Sequence, residues 1–459
     1  MALARIDRLD DAVGAGIEHA VVRHHRRRLR RNGWNAAAAP PADGLWCAGD
    51  PPPRAQNRLE PLVDGEVALG RLAADLEEAR ADVLLAGWHF DPSFRLVEGG
   101  PPLRELLAGL AERCHVRILA WAGAPLPLFS PSRRTVREQR EQLVRGTRVR
   151  MELDRRERPL HCHHEKLAIV DGRIAYVGGI DLTALAGDRR DVSGHPARSG
   201  IGWHDATARI EGPLAADVAR HVALRWLEVT GETLPPPDAA APAGEVEAQF
   251  VRTVPNGIYR RLPRGDFRIL EAYVRALRSA ERLVYIENQF LWSPEIVSIL
   301  AEKLRQPPSP DFQVVVLLPA RPNNGADDTR GQLGVLTDVD RDGRLLACTL
   351  YQPGSPRQVY VHAKLAVVDD RWLCIGSANL NEHSLFNDTE ACVITCDERL
   401  PRDTRLQLWR EHLEVDEPTV DSWRERAHDD AYPRLRHLPR VSRRAGRFLG
   451  PINGLLVDG

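Results

Sequence analysis

The chain has 459 residues, with 63 basic side chains against 64 acidic ones and a formal net charge of −1. That length is more than one hydrophobic core usually serves and favours two domains or one two-lobed unit. The balanced charge excludes a global basic field, so no nucleic-acid partner is expected. Seven scattered cysteines, Cys47, Cys114, Cys162, Cys348, Cys374, Cys392 and Cys396, several inside apolar runs, fit buried thiols in a reducing compartment better than a disulfide framework.

In chain order, residues 5–31 read as a helix ending in the basic cluster Arg23 to Arg31, and an Ala/Pro-rich loop follows from Ala36 to Arg54. Such a cluster is usually a solvated helix face, and otherwise a contact with a membrane or nucleic acid. Asp64-Gly65 opens a helix to about Arg80, and Val83 to Trp88 reads as a buried strand. Each half carries one strand pair: Leu167 to Val170 with Ile174 to Val177 in the first, and Leu365 to Val368 with Trp372 to Ile375 in the second. The stiff segment Leu234 to Gly244 separates them. The second half continues with a helix from Phe267 to Ser279, the strand Leu283 to Ile286, a helix to Leu304 and the strand Gln313 to Leu318. We therefore expect a basic helix and loop over 1–58, a first lobe over 59–233, a linker over 234–244, and a second lobe with its tail over 245–459. Alternating helices and strands point to an α/β fold: two similar lobes related by a pseudo-two-fold axis, each a mixed sheet flanked by helices, with the site at their interface.

The two halves carry one cassette. His164, Lys166, Asp171 and the pair Gly178-Gly179 recur as His362, Lys364, Asp369 and Gly376-Ser377, with identical intervals. The apolar run from Val116 has its counterpart at Val314, at the same 198-residue offset. A match at four positions, twice, marks an internal duplication.

An extended strand sends alternate side chains to one face, so each His and Lys point together while the residue between them points away. Two imidazoles and two ammonium groups then suit a phosphodiester, which needs neutralised oxygens, a neutral nucleophile and a protonated acid. Each imidazole must be oriented through its other ring nitrogen, and Asp205 and Glu390 are the candidate carboxylates. Asp171 and Asp369 belong to the turn after each strand, capping backbone amides. The run His161-Cys162-His163-His164 is not read as a metal cluster, because consecutive residues alternate faces and no partner group has ligand spacing.

These residues resemble the duplicated H-x-K-x4-D cassette of the phospholipase D superfamily. Ile286-Glu287-Asn288-Gln289-Phe290 resembles a segment of phospholipases D proper, while Gly376-Ser377-Ala378-Asn379-Leu380 and Trp203-His204-Asp205 resemble the family's blocks after each cassette. The likeness runs from about residue 60 to 415, and the first cassette departs from the second at Gly179 and Asp181. It implies a two-step, metal-independent reaction with no cofactor, through a covalent phosphohistidine. His164 would be the nucleophile and His362 the general acid, then base. Lys166, Lys364 and Asn379 would hold the phosphoryl oxygens, with Ser377, Asp181, Gln289 and Glu287 also facing the substrate.

Three activities compete. A phospholipase D hydrolysing or transphosphatidylating glycerophospholipids is favoured by the segment at Ile286. A cardiolipin-synthase-type transferase shares the chemistry, but the missing N-terminal membrane spans weigh against it. A nuclease is disfavoured by the charge balance. No run approaches the ~18 apolar residues of a membrane span, so a cytoplasmic monomer is expected, soluble or peripheral at the inner membrane face. Its partner would be a phospholipid substrate.

Overall fold

The computed structural model describes residues 2–125, 130–185, 187–197, 200–237, 240–323 and 326–438, without the side chains of 2–13 and 326–328. The tail from Pro439, together with Arg198 and Asp238, lies outside the described residues.

The first half contributes β1 (Arg54–Val63), β2 (Asp82–Gly87), β3 (His115–Trp121), β4 (Arg150–Asp154), β5 (Leu167–Val170), β6 (Ile174–Gly178), β7 (Gly202–His204) and β8 (Ala206–Glu211). The second contributes β9 (Val246–Val254), β10 (Asp266–Phe267), β11 (Leu283–Glu287), β12 (Gln313–Leu317), β13 (Leu345–Leu350), β14 (Val359–Val361), β15 (Leu365–Val368), β16 (Trp372–Gly376), β17 (Glu390–Thr395) and β18 (Leu435–His437). Read inward from β4 and from β13, the halves share one strand order, β4-β3-β2-β5-β6-β8-β1 and β13-β12-β11-β15-β16-β17-β9, with β18 outside β13. Antiparallel pairing of β1 with β9 joins them into one mixed sheet of 16 strands.

Helices cover both faces of this sheet, so its central strands are apolar throughout rather than alternating. Leu167-Ala168-Ile169-Val170 and Leu365-Ala366-Val367-Val368 are buried at every position. One hydrophobic core contains Leu167 and Val177 from the first half together with Leu365 and Ile375 from the second, and two further cores serve the halves separately.

The cassette glycines have a steric cause. A Cβ on Gly178 would stand 2.5 Å from Thr207 Cα, and one on Gly376 would stand 2.6 Å from Cys392 Cα. Only glycine lets β6 and β16 approach their inner neighbours, β8 and β17, this closely.

The N-terminal helix Ala2–Arg31 does not present its basic cluster uniformly to solvent. Arg26, Arg27 and Arg30 are exposed, but Arg28 is buried and donates to Asn256 Oδ1 at 2.7 Å, Asn387 Oδ1 at 2.8 Å and Phe386 O at 2.8 Å. Burial, with Arg158 nearby, lowers the Arg28 pKa to about 9. His25 bonds Glu295 at 2.8 Å. The helix is thus pinned to the second half beside the segment that leads to Glu390. Among the described residues no helix is long and apolar enough to cross a membrane.

Candidate active site

Each His-x-Lys triplet lies just before its strand rather than in it: β5 starts at Leu167 and β15 at Leu365. The extended conformation comes instead from pairing across the halves. Thr389 O accepts the amides of His164 and Glu165, and His204 O accepts those of His362 and Ala363. β7 and β14 pair in parallel beside the second of these contacts.

This crossing decides which carboxylate meets which imidazole. Glu390, from the second half, bonds His164 Nδ1 at 3.0 Å, and Asp205, from the first, bonds His362 Nδ1 at 2.7 Å. Each histidine is oriented by the opposite half. With Nδ1 engaged, Nε2 is left as the nitrogen for chemistry.

Both ammonium groups lie in the same buried site. Lys166 Nζ reaches His164 O at 2.7 Å and Asp181 at 3.1 Å. Lys364 Nζ reaches His362 O and, at 3.1 Å, Gln289 Oε1, which also accepts from Asn379 Nδ2 at 3.3 Å. Asp181 therefore meets a lysine where Asn379, its counterpart in the second half, meets an amide.

Two residues read as substrate-facing take other positions. Glu287 is fully buried and bonded to His204 Nε2 at 2.9 Å, His412 Nε2 at 2.9 Å and the Tyr285 hydroxyl, behind the strand carrying it. It reaches the site only through His204. The Ser377 hydroxyl donates to Glu390, as does Ser384 at 2.6 Å, so Ser377 supports the carboxylate. Its counterpart Gly179 has no room for a side chain, since a Cβ there would stand 2.1 Å from Asp205 Oδ1.

Asp171 takes a left-handed conformation, φ 51°, and accepts the amides of Arg80, Ala81 and Asp82. Asp369 has φ 53° and accepts those of Glu281, Arg282 and Leu283. Both turns tie the end of the cassette strand to the start of its antiparallel neighbour, β2 or β11, away from the histidines. Trp88 stacks on Trp121 with ring centroids 6.2 Å apart.

The segment between Ala184 and Ile201 carries buried functional groups among its described residues. Arg189 lies 3.5 Å from the Trp203 ring centroid, and Trp203 packs 4.9 Å from His362. Among the described residues, Arg189 Nε and Nη1 are buried without a hydrogen-bond partner. Burial, then the charges of Lys364, Arg189, Lys166 and His164, hold the His362 pKa well below the ordinary histidine value. Glu390 is pushed well up by burial, against the opposing pull of Lys166, Ser377 and Ser384. A site this rich in cations favours a bound anion.

Between each His and Lys the halves diverge: Glu165 stands where the second half has Ala363. Glu165 points away from the site and meets His221 Nε2 at 2.7 Å and the Arg225 guanidinium, which also binds Asp154 at 2.9 Å. Burial would raise the Glu165 pKa, but Arg225 and His221 outweigh it and hold it at about 2. His161, set aside on spacing, lies 3.1 Å from His383 Nδ1 and 3.4 Å from Asp388, partners from the other half that no local spacing reveals.

A family profile described as "Cardiolipin synthase, PLD-like domain" matches residues 273–411. Phospholipase D A of Dictyostelium discoideum is 25% identical over 464 aligned residues, 79% of this chain but only 36% of that protein. Cardiolipin synthase A of Pseudomonas putida is 27% identical over 413, covering 88% of this chain and 76% of that protein. The fold is similar to that of a phosphatidylserine synthase from Haemophilus influenzae Rd KW20, with a TM-score of 0.53 at 11% identity over 76% of this chain and 84% of that one.

Proposed function

We propose that this chain, which belongs to the phospholipase D superfamily, cleaves glycerophospholipid diesters and passes the phosphatidyl group to water or to an alcohol. The observation that carries this reading is the crossed pair of His–carboxylate dyads, Glu390 with His164 and Asp205 with His362, flanked by two lysines.

In the first step His164 Nε2 attacks phosphorus, the bond to the leaving alcohol breaks, and His362 Nε2 gives that oxygen its proton. The phosphatidyl group is then held on His164. In the second step His362, now neutral, takes a proton from water or an alcohol, which attacks phosphorus as the P–N bond breaks. Lys166, Lys364 and Asn379 are placed to neutralise the non-bridging oxygens. The diester's own negative charge offsets the cations that hold His362 neutral, so binding raises the proton affinity of His362 when an acid is needed.

This links Arg189 to the pH profile. Arg189→Gln removes one repelling charge and should raise the His362 pKa. The profile of kcat/KM should be bell-shaped, and the limb that tracks His362 should move to higher pH, the limbs being properties of the coupled pair. Superimposable profiles for the two proteins would remove Arg189 from this role.

A second reading, phosphatidyl transfer to a lipid alcohol, is supported by the cardiolipin synthase relative, of which 76% is covered. Mixed phospholipid vesicles with and without a primary alcohol separate the two once products are identified by mass. Free headgroup with phosphatidic acid or phosphatidyl-alcohol indicates the first; a diphosphatidyl product formed without added alcohol indicates the second. Intact lipids in every mixture would sink both.

A further inference from the structure

We propose that Asp64, His195 and Glu411 form a binding site for one divalent transition-metal ion that braces the active site from behind. His195 lies in the segment before β7, Asp64 follows β1, and Glu411 is on the helix Leu400–Leu413 of the second half.

Fully buried, His195 Nε2 makes no hydrogen bond among the described residues, although Asp64 Oδ2 and Glu411 Oε1 each stand 3.4 Å away. That spacing matches a tetrahedral ion, whose ligand atoms at about 2.1 Å lie about 3.4 Å from one another. Nδ1 of the same ring meets Asp191 Oδ2 at 3.1 Å, the carboxylate–histidine pairing that turns Nε2 toward a metal. Asp191 is itself fixed by the Trp203 amide at 2.9 Å.

The other two ligands are also preset. Glu411 Oε1 accepts the Gly194 amide at 3.0 Å, and Asp64 Oδ2 is 3.3 Å from the Ser193 hydroxyl. His204 lies within the same cluster but serves differently. Its two nitrogens bond Asp64 Oδ1 and Glu287 Oε2, each at 2.9 Å, as an imidazolium between carboxylates. One imidazole nitrogen and two carboxylate oxygens, with water as a fourth ligand, suit zinc or a neighbouring first-row ion better than calcium, which takes six or more oxygens.

The position explains what the ion would do. Asp64 exchanges backbone bonds with Asp205, its amide donating to Asp205 O at 2.8 Å while its Oδ1 accepts the Asp205 amide at 3.2 Å. Joining Asp64 and His195 to Glu411 ties the two halves together behind the Asp205–His362 dyad. The ion touches no reacting atom and supports the dyad's geometry.

The test is a metal count by elemental analysis on full-length protein made in zinc-supplemented medium and desalted with a weak chelator. About one equivalent per chain is expected, incorporated as the chain folds. His195→Ala and Glu411→Gln should each bring it below about one tenth and lower the Tm by at least about 5 °C. His161→Ala, in the other His/Asp cluster, should keep the ion. X-ray absorption on the wild type should give a shell of one imidazole nitrogen and oxygens. Less than about a tenth of an equivalent in wild type overturns the proposal. So does a shell with thiolate or several imidazoles, or a full equivalent persisting in folded Glu411→Gln. Should both variants fail to fold, the wild-type count and shell decide.

Discussion

His164→Ala should lower turnover of a phospholipid diester by at least about ten-thousand-fold, because members of a covalent catalytic unit cannot substitute for one another. His362, held to Asp205 at 2.7 Å, serves in this reading as the acid and then the base, not as the attacking group. Affinity for substrate vesicles should change little, as Lys166, Lys364 and Asn379 remain. Acid-labile phosphate, trapped by rapid quenching and mapped by mass spectrometry, should sit on the peptide containing His164. Phosphate on the His362 peptide would reverse the roles of the two histidines, and residual turnover within tenfold of wild type would dispose of the covalent route altogether.

Arg225→Ala should cost about 3–5 kcal/mol of stability, the range for removing one partner from a buried ion pair. Arg225 is fully buried between Glu165 and Asp154, both of which are inaccessible to water, and its Nε also bonds the Tyr259 hydroxyl at 2.8 Å. The substitution strands two carboxylates in the core. Because a folded pKa held down at about 2 contributes stability above the ordinary carboxylate range, the Glu165 contribution should be present at neutral pH. It should fade as pH falls toward that value. Denaturant midpoints for wild type and variant at neutral and acidic pH measure this. A loss under about 1 kcal/mol at neutral pH would mean that water or a shifted side chain replaces the guanidinium.

Local chemistry made much of this legible in the sequence. The two-residue step from His to Lys, the aspartate at the following turn and the glycine at the close approach of strands each depend on a few bonded neighbours, and they appear at the same intervals in both halves. Asp205 and Glu390 could be named as carboxylates for the histidines, but not assigned between them. That crossing depends on β7 pairing with β14 and His163 bridging to Thr389, contacts between residues far apart in the chain. The same cause hid the support of Glu390 by Ser377 and Ser384, the inward burial of Glu287, and the placing of Arg189 over Trp203. The sequence by itself determined which groups share a face, because spacing along an extended chain sets side-chain direction. Only the tertiary structure decided which partner each group meets, because those partners arrive from the other half.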